Sequence, residues 1–367
     1  MDPIIIVAIV IIIAIIFEYL NGFHDAANAL ATAVSTRALS PKKALILGAT
    51  FQFIGAVSVV NITMFFAFAN IPFFKPVTDT IGKLVALPHT GDVLQSGQIF
   101  SLEFLALIVG VGLISAAIWN TVTWFFGIPS SSSHALIGGI CGSGFMAFGI
   151  TALKFSVILP AILLLVISPV IAILFCFISM KFLLFIMRGK SSKVGEKFKR
   201  GQIFSSALFA FSQGANDGQK TAGIITLFLI SAGMWDLHNG IIYPPLWVIV
   251  LCSLAIAAGI GTGGWRIIKT VGTKIFEMKY IHGFNVQAGS TAIILGNSFI
   301  GLPVSTAHVL SMAVVGTGAA TRMSAVRWNV IRPIVTAWVI TIPSCFIVSA
   351  TIYFLAASVF NFPVMKF

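Results

Sequence analysis

Of the ten acidic residues in this chain of 367, three, Glu18, Asp25 and Asp217, fall deep inside apolar stretches. A carboxylate set in hydrocarbon is expensive on every insertion scale, so such residues mark ion or substrate paths unless they pair. Asp25 and Asp217 occur in two similar octapeptides, NGFHDAAN (21–28) and QGANDGQK (213–220), where Asn28 and Asn216 add amide oxygens. Oxygen ligands suit a hard cation. The pattern predicts a site for a coupling cation such as Na⁺ at Asp25, Asn28, Asn216 and Asp217, with the two aspartates as its direct metal ligands. The alternative is a structural pair in which each aspartate caps a half-helix. Glu18 lies two helical turns before Asp25, near one face; a place near the outside or at a subunit interface is equally open to it. Lys220 stands opposite Asn28 when the octapeptides are aligned, and either offsets part of the site charge or snorkels to the interface.

A second constellation consists of hydroxyls. GIPSSSSHALIGGICGSG, starting at Gly127, aligns without gaps on GLPVSTAHVLSMAVVGTG, starting at Gly301. In each, a proline followed by Ser or Thr reads as a helix start, and a helix start offers free N–H groups and a positive dipole end to an anion. If the two segments reach the membrane midplane from opposite sides, Ser130, Ser131, Ser132, Ser133, Ser305 and Thr306 can surround one tetrahedral oxyanion. Ordinary capping, or packing of small residues between helices, is the plainer explanation. His134 and His308 also coincide, and a lone histidine after a cap is more often a structural donor than a proton relay.

The elements that must position these groups are membrane spans. The chain is 58% hydrophobic and 9% charged, with mean hydropathy +1.05, whereas a soluble domain carries about 25% charged residues. Apolar runs at 4–17, 102–126, 155–187 and 333–359 approach or exceed the roughly 20 residues that cross a bilayer core. Alternating segments of a transmembrane barrel are not visible. The formal charge of +12 reflects topology rather than nucleic acid. Basic residues cluster at 37–43, 188–200, 266–279 and 322–332, which the positive-inside rule places in the cytoplasm, with contact to anionic membrane lipids. Asp79, Asp92 and Glu103 gather at the connection 70–101, and Asp236 lies in another connection without Lys or Arg; both are predicted outside.

Crossings counted between these loops fall near 3–36, 44–69, 102–126, 131–153 and 155–187, and after the linker near 203–233, 244–262, 285–300, 304–320 and 333–358. Two odd sets of crossings make two halves inverted relative to each other, 1–187 and 201–367, joined by a cytoplasmic linker at 188–200, with both termini outside. The sequence thus predicts an all-α polytopic membrane protein of about 10–12 segments, with broken helices or re-entrant hairpins. The octapeptides are expected to be breaks, and inverted repeats with interrupted helices are the construction of secondary transporters. The N-terminal stretch reads as a retained first span, since it lacks the basic region and cleavage site of a signal peptide. Cys141, Cys176, Cys252 and Cys345 lie singly in apolar segments and form no metal or disulfide pattern. GIGTGG at 259–264 matches a dinucleotide fingerprint only formally, having no βαβ unit around it. Ser133 beside His134 lacks the third group of a hydrolase. No enzyme activity and no cofactor are expected.

The stretches NGFHDAANALATAVSTRALSPKKALILGATFQFIGA (21–56) and SQGANDGQKTAGIITLFLISAG (212–233), with GIPSSSSHALIGG and GLPVSTAHVLSM, closely resemble the inorganic phosphate transporter (PiT) family. The resemblance implies a duplicated, inverted-repeat fold that takes up inorganic phosphate with Na⁺ or H⁺, often as a homodimer. Carried over by position, Asp25, Asn28, Asn216 and Asp217 belong to its signature motifs, and Ser131, Ser132, Ser133, Ser305 and Thr306 to its hydroxyl segments. Asn28 is expected at both the phosphate and the cation. Many members carry Glu where this chain has Gln52 and Gln287; these neutral residues join the expected cation-binding set and tilt the coupling toward Na⁺. The short linker fits a prokaryotic plasma membrane. The expected activity is import of phosphate in symport with Na⁺ by alternating access. Proton coupling, a metal–phosphate substrate, or sulfate on the same fold are the alternatives.

Overall fold

The computed structural model describes residues 2–69, 71, 74–93, 99–190, 194–263 and 265–362. Among them the chain is almost wholly helical, and the helices begin and end where local chemistry dictates. α1 (Pro3–Ser35) starts at Asp2, whose side chain accepts from the Ile4 N–H at 2.9 Å, with proline in the first turn. α2 (Pro41–Phe68) again opens on proline. After the short α3 (Val77–Gly82), Ser101 caps α4 (Leu102–Phe126), and Ser131 caps α5 (Ser132–Phe148). A 3₁₀ turn leads into α6 (Phe155–Ile186). The second series is α7 (Val194–Ser231), α8 (Leu246–Thr262), the short α9 (Trp265–Lys269) running into a π-helical turn, α10 (Tyr280–Phe299) and α11 (Thr306–Thr321), the last capped by Ser305. Another 3₁₀ turn precedes α12 (Trp328–Phe360). α6 and α12 each hold two internal prolines, Pro160 and Pro169 in one and Pro333 and Pro343 in the other.

Among the described residues five helices, α1, α2, α4, α6 and α12, are long and apolar enough to cross a membrane unaided. α5 and α11, of 17 and 16 residues, reach about 25 Å at 1.5 Å per residue, short of a 30 Å core. α7 is long, but its middle is polar. The packing is reciprocal: α1 lies on α8 as α7 lies on α2, α4 on α1 as α10 on α7, and α5 on α12 as α11 on α6. The two halves of the chain are therefore interleaved rather than set side by side.

Among the described residues two large apolar cores result, beside a small cluster of Val60, Met64 and Ile249. One gathers Val10 and Phe17 of α1 with Phe104, Ile140, Ile225 and Tyr353. The other gathers Leu30 of α1 with Phe209, Ile268, Ile294, Val314 and Ile331. α1 passes from the first core to the second between Phe17 and Ala26, and α7 passes between Ala222 and Ala210. The polar residues of both octapeptides lie in the layer between the cores, remote from either end. The end charges separate as well. Beyond one core, Gln202 joins Thr36, and Arg327 donates to the Thr273 carbonyl at 3.0 Å, bringing the basic clusters together. Beyond the other, Asp79 accepts from the Ile242 N–H at 2.9 Å and Lys83 donates to the Gly240 carbonyl at 2.9 Å, joining the two acid-bearing connections.

The expected breaks at 21–28 and 213–220 do not occur, because α1 and α7 run through both stretches uninterrupted. Neither octapeptide contains proline, and its first glycine serves close packing instead. A methyl group at Gly22 would fall 2.1 Å from the Ile256 carbonyl oxygen of α8, and one at Gly214 would fall 2.0 Å from that of Gln52 in α2. The interruptions lie in the turns 127–131 and 301–305, where α4 hands over to α5 and α10 to α11. Both turns begin with glycine in the left-handed region, Gly127 at φ +66° and Gly301 at φ +73°, a conformation open to glycine without steric cost. The first turn lies beside Arg266 before the π-helical stretch, and the second beside Lys75 before α3.

Candidate functional site

α1 and α7 pass through the polar layer and bring their aspartates to one hydroxyl. Thr306, in the first turn of α11, has its Oγ1 3.5 Å from Asp25 Oδ2 and 3.2 Å from Asp217 Oδ2. Each carboxylate has its own partners on the other oxygen. Asn28 donates to Asp25 Oδ1 at 2.9 Å, and His24 Nδ1 lies 3.3 Å from the same oxygen. Lys220 Nζ lies 2.5 Å from Asp217 Oδ1. Gln213 of α7 donates to the Asp25 carbonyl at 3.1 Å, tying the two helices together beside the site. All of these side chains are buried. The mutual repulsion of two such carboxylates is offset by one ammonium and by hydrogen-bond donors.

The turns complete the site. Ser133 donates to the Val304 carbonyl at 3.2 Å and also meets Lys220 at 2.5 Å. Asn216 donates to that same carbonyl at 2.8 Å. Ser130 pairs with Thr123 at 2.7 Å, and both lie 3.3 Å from His24 Nε2. Ser131 and Ser305 are N-caps: their oxygens accept from the backbone N–H of His134 at 3.2 Å and of His308 at 3.3 Å. The N-termini of α5 and α11 thus point their uncommitted first-turn N–H groups and dipoles at the polar layer. Ser132 is buried in the first turn of α5.

Of the residues expected at the site, Asp25, Asn28, Asn216, Asp217, Ser133 and Thr306 come together. Gln287 does not. It accepts from Ser205 and Ser206 of α7 at 3.2 and 2.9 Å, about 16–18 Å along the helix from Asp217. Gln52 is buried on α2 beside Gly214 and makes no bond to the aspartates. Glu18 lies at neither the outside nor a subunit surface; it is fully buried and accepts from Thr221 of α7. Lys220, 2% exposed, does not snorkel. His134 and His308 face each other, ring centroids 4.8 Å apart, and His308 stacks on Trp338 at 3.8 Å. They line a cleft of about 410 Å³ between α6 and α12. Sequence reasoning missed the Val304 carbonyl and Thr123. A main-chain acceptor has no side-chain signature, and Thr123 lies in a stretch that reads as unbroken apolar span.

A buried, charged centre inside a multi-pass helical bundle, reached by two helix N-termini from short hairpins, is the build of a membrane carrier for an anion. The comparisons with known proteins agree. The chain matches the phosphate transporter family over residues 21–196 and 187–349. A probable low-affinity inorganic phosphate transporter of Bacillus subtilis is 39% identical over 362 residues, 98% of this chain and all of that protein. One from Rhizobium meliloti is 37% identical over 94% of this chain and 95% of its own. A solved structure, the sodium-dependent phosphate transporter, superposes with a TM-score of 0.79 at 25% identity, covering 96% of this chain and 99% of that one. The chain belongs to the phosphate transporter family. It is a multi-pass membrane protein of a family of permeases rather than enzymes.

Proposed function

We propose that the chain imports inorganic phosphate together with Na⁺ by alternating access. The observation that carries this reading is the convergence of Asp25 and Asp217 on Thr306 at the N-terminus of α11, which supports a cation site beside an anion site inside the membrane. Phosphate is held by the first-turn N–H groups of α5 and α11 with Ser132, Ser133, Thr306 and Asn28, while Ser131 and Ser305 aim those turns. The cation is held by Asp25, Asn28, Asn216 and Asp217, with Gln52 and Gln287 as outlying polar groups. Two aspartates and a hydrogen phosphate carry about four negative charges and Lys220 returns one. A cation entering this deficit tightens phosphate binding and phosphate tightens the cation, as linkage requires.

The reciprocal packing supports an inverted repeat of residues 1–187 and 201–367 joined by the linker 188–200, and rocking of this pair exchanges access. The separated end charges support a cytoplasmic linker and termini on the outer face of a prokaryotic plasma membrane, where the chain acts as a homodimer. Uptake of radiolabelled phosphate into liposomes tests the reading, with Na⁺ and proton gradients imposed separately and sulfate as competitor. Uptake that follows Na⁺ and ignores sulfate is expected; inhibition by sulfate without phosphate accumulation would overturn the substrate. A proton in place of Na⁺ is the second reading, favoured by His24 beside Asp25, and uptake driven by the proton gradient alone would establish it.

A further inference from the structure

The two octapeptides present the same carboxylate with different neighbours. α1 carries His24, Asp25 and, three residues on, Asn28; α7 carries Asn216, Asp217 and, three residues on, Lys220. Asn28 and Lys220 thus hold matching positions. Asn28 gives its N–H to Asp25 at 2.9 Å and keeps its own Oδ1 buried without a partner. Lys220 is surrounded by oxygen: Asp217 Oδ1 at 2.5 Å, Ser133 Oγ at 2.5 Å and the Val304 carbonyl at 3.0 Å. A carboxylate, a hydroxyl and a peptide carbonyl meeting at one point are the ligands a hard cation takes. The carbonyl comes from the interrupted backbone before α11 and accepts from the Asn216 and Ser133 side chains as well as from Lys220. A lysine ammonium is a compact charge on a flexible stem, and here it fills the centre of that cage.

We infer that Lys220 is a tethered cation: its ammonium holds, in the α7 half of the site, the place that an exchangeable cation takes beside Asp25 and Asn28 in the α1 half. Each phosphate then travels with one coupled cation fewer than in a carrier whose two halves both stand open. This rests on the cation-coupled reading above. It explains why the fixed charge is on one side only. Both aspartates need a cation to approach an anion, and the fold supplies one permanently and leaves the other to the gradient.

The test compares the full-length chain with Lys220→Asn, Lys220→Gln and Lys220→Met in liposomes, using radiolabelled Na⁺ and phosphate. The Asn and Gln side chains replace the ammonium with an oxygen and open the cage; Met removes the charge and supplies no ligand. The expected result is a Na⁺-to-phosphate flux ratio higher by about one in the Asn and Gln variants than in the parent, and at least a tenfold loss of uptake in Met without a rise in the ratio. A ratio equal to the parent's in Asn and Gln, with uptake retained, overturns the inference. If uptake is too weak to count, the unfolding temperature of the purified proteins is followed against Na⁺. Stronger stabilisation by Na⁺ in Asn and Gln than in Met supports the tethered cation, and identical behaviour of all three assigns Lys220 a purely structural pairing with Asp217. The parent's own dependence on Na⁺ decides the preceding proposal separately, because the inference is read from the difference between variant and parent.

Discussion

The turns 127–131 and 301–305 are built alike and act differently. Both open on a left-handed glycine, place proline two residues later and end in a serine N-cap followed three residues on by a histidine. Within that common frame Ser130 answers to Val304, Ser132 to Thr306 and Ser133 to Ala307. The first turn reaches outward with side chains, Ser130 to His24 and Ser133 to Lys220. The second gives a bare carbonyl, at Val304, which Ser133, Asn216 and Lys220 all address, and one hydroxyl, at Thr306, that touches both aspartates. A near-symmetric scaffold therefore carries an asymmetric site. The shared frame sets the two helix N-termini, and the residue differences between the turns divide the contacts between them.

The largest effect expected is from Asp217→Asn. It leaves the Lys220 ammonium buried without a carboxylate, at a cost of about 3–5 kcal/mol, so the unfolding temperature in detergent drops and uptake is lost. A variant as stable as the parent would show that the α7 half is not organised around this pair. Asp25→Asn should behave otherwise, because the buried Lys220 ammonium pairs with Asp217 and not with Asp25: the fold persists, phosphate uptake falls about 100-fold, or about 2.7 kcal/mol, and the remainder no longer responds to Na⁺. Equal destabilisation by both changes would erase the distinction between the halves. A finer comparison sets Thr306→Ala against Ser132→Ala, the matching positions of the two turns. Removing the bridging Thr306 hydroxyl lowers uptake at least about tenfold, as expected for a hydrogen bond to charged groups, Thr306→Ser restores it, and Ser132→Ala, which takes one bond from the anion and none from the aspartates, lowers it by less. Losses of the same size would mean that the turns contribute alike.

Much of this was legible in the residues. Runs of apolar sequence gave the helices, and prolines and hydroxyls gave the starts of α5 and α11, because both signals act within a few residues of where they stand. The aspartates were found because a carboxylate has no other business in an apolar run. The octapeptides do not break α1 and α7, because a glycine that permits a break permits a close helix crossing equally well. Only the carbonyls of Ile256 and Gln52 packed against Gly22 and Gly214 decide between the two. Family resemblance alone groups Gln287 with the site, and its partners lie on a distant turn of α7. The convergence on Thr306 depends on how α1, α7 and α11 cross, which no local pattern encodes.

The smallest effect separates positioning from contact. Ser131 and Ser305 each accept a backbone N–H as N-caps, so their alanine variants should each lose about 1 kcal/mol of stability, seen as a small drop in unfolding temperature. The first-turn N–H groups proposed to hold the anion belong to the backbone and stay in place if the turn still forms. Half-saturation by phosphate is therefore expected to rise by less than about threefold in either variant. Ser305→Asp tests the same point from the other side. Aspartate is as good a cap as serine, so stability should be kept, but its negative charge beside Thr306 opposes phosphate and should raise half-saturation well beyond the alanine variant. If alanine instead weakens phosphate as strongly as Thr306→Ala does, these hydroxyls bind the anion directly and the two turns are more alike in function than their contacts indicate.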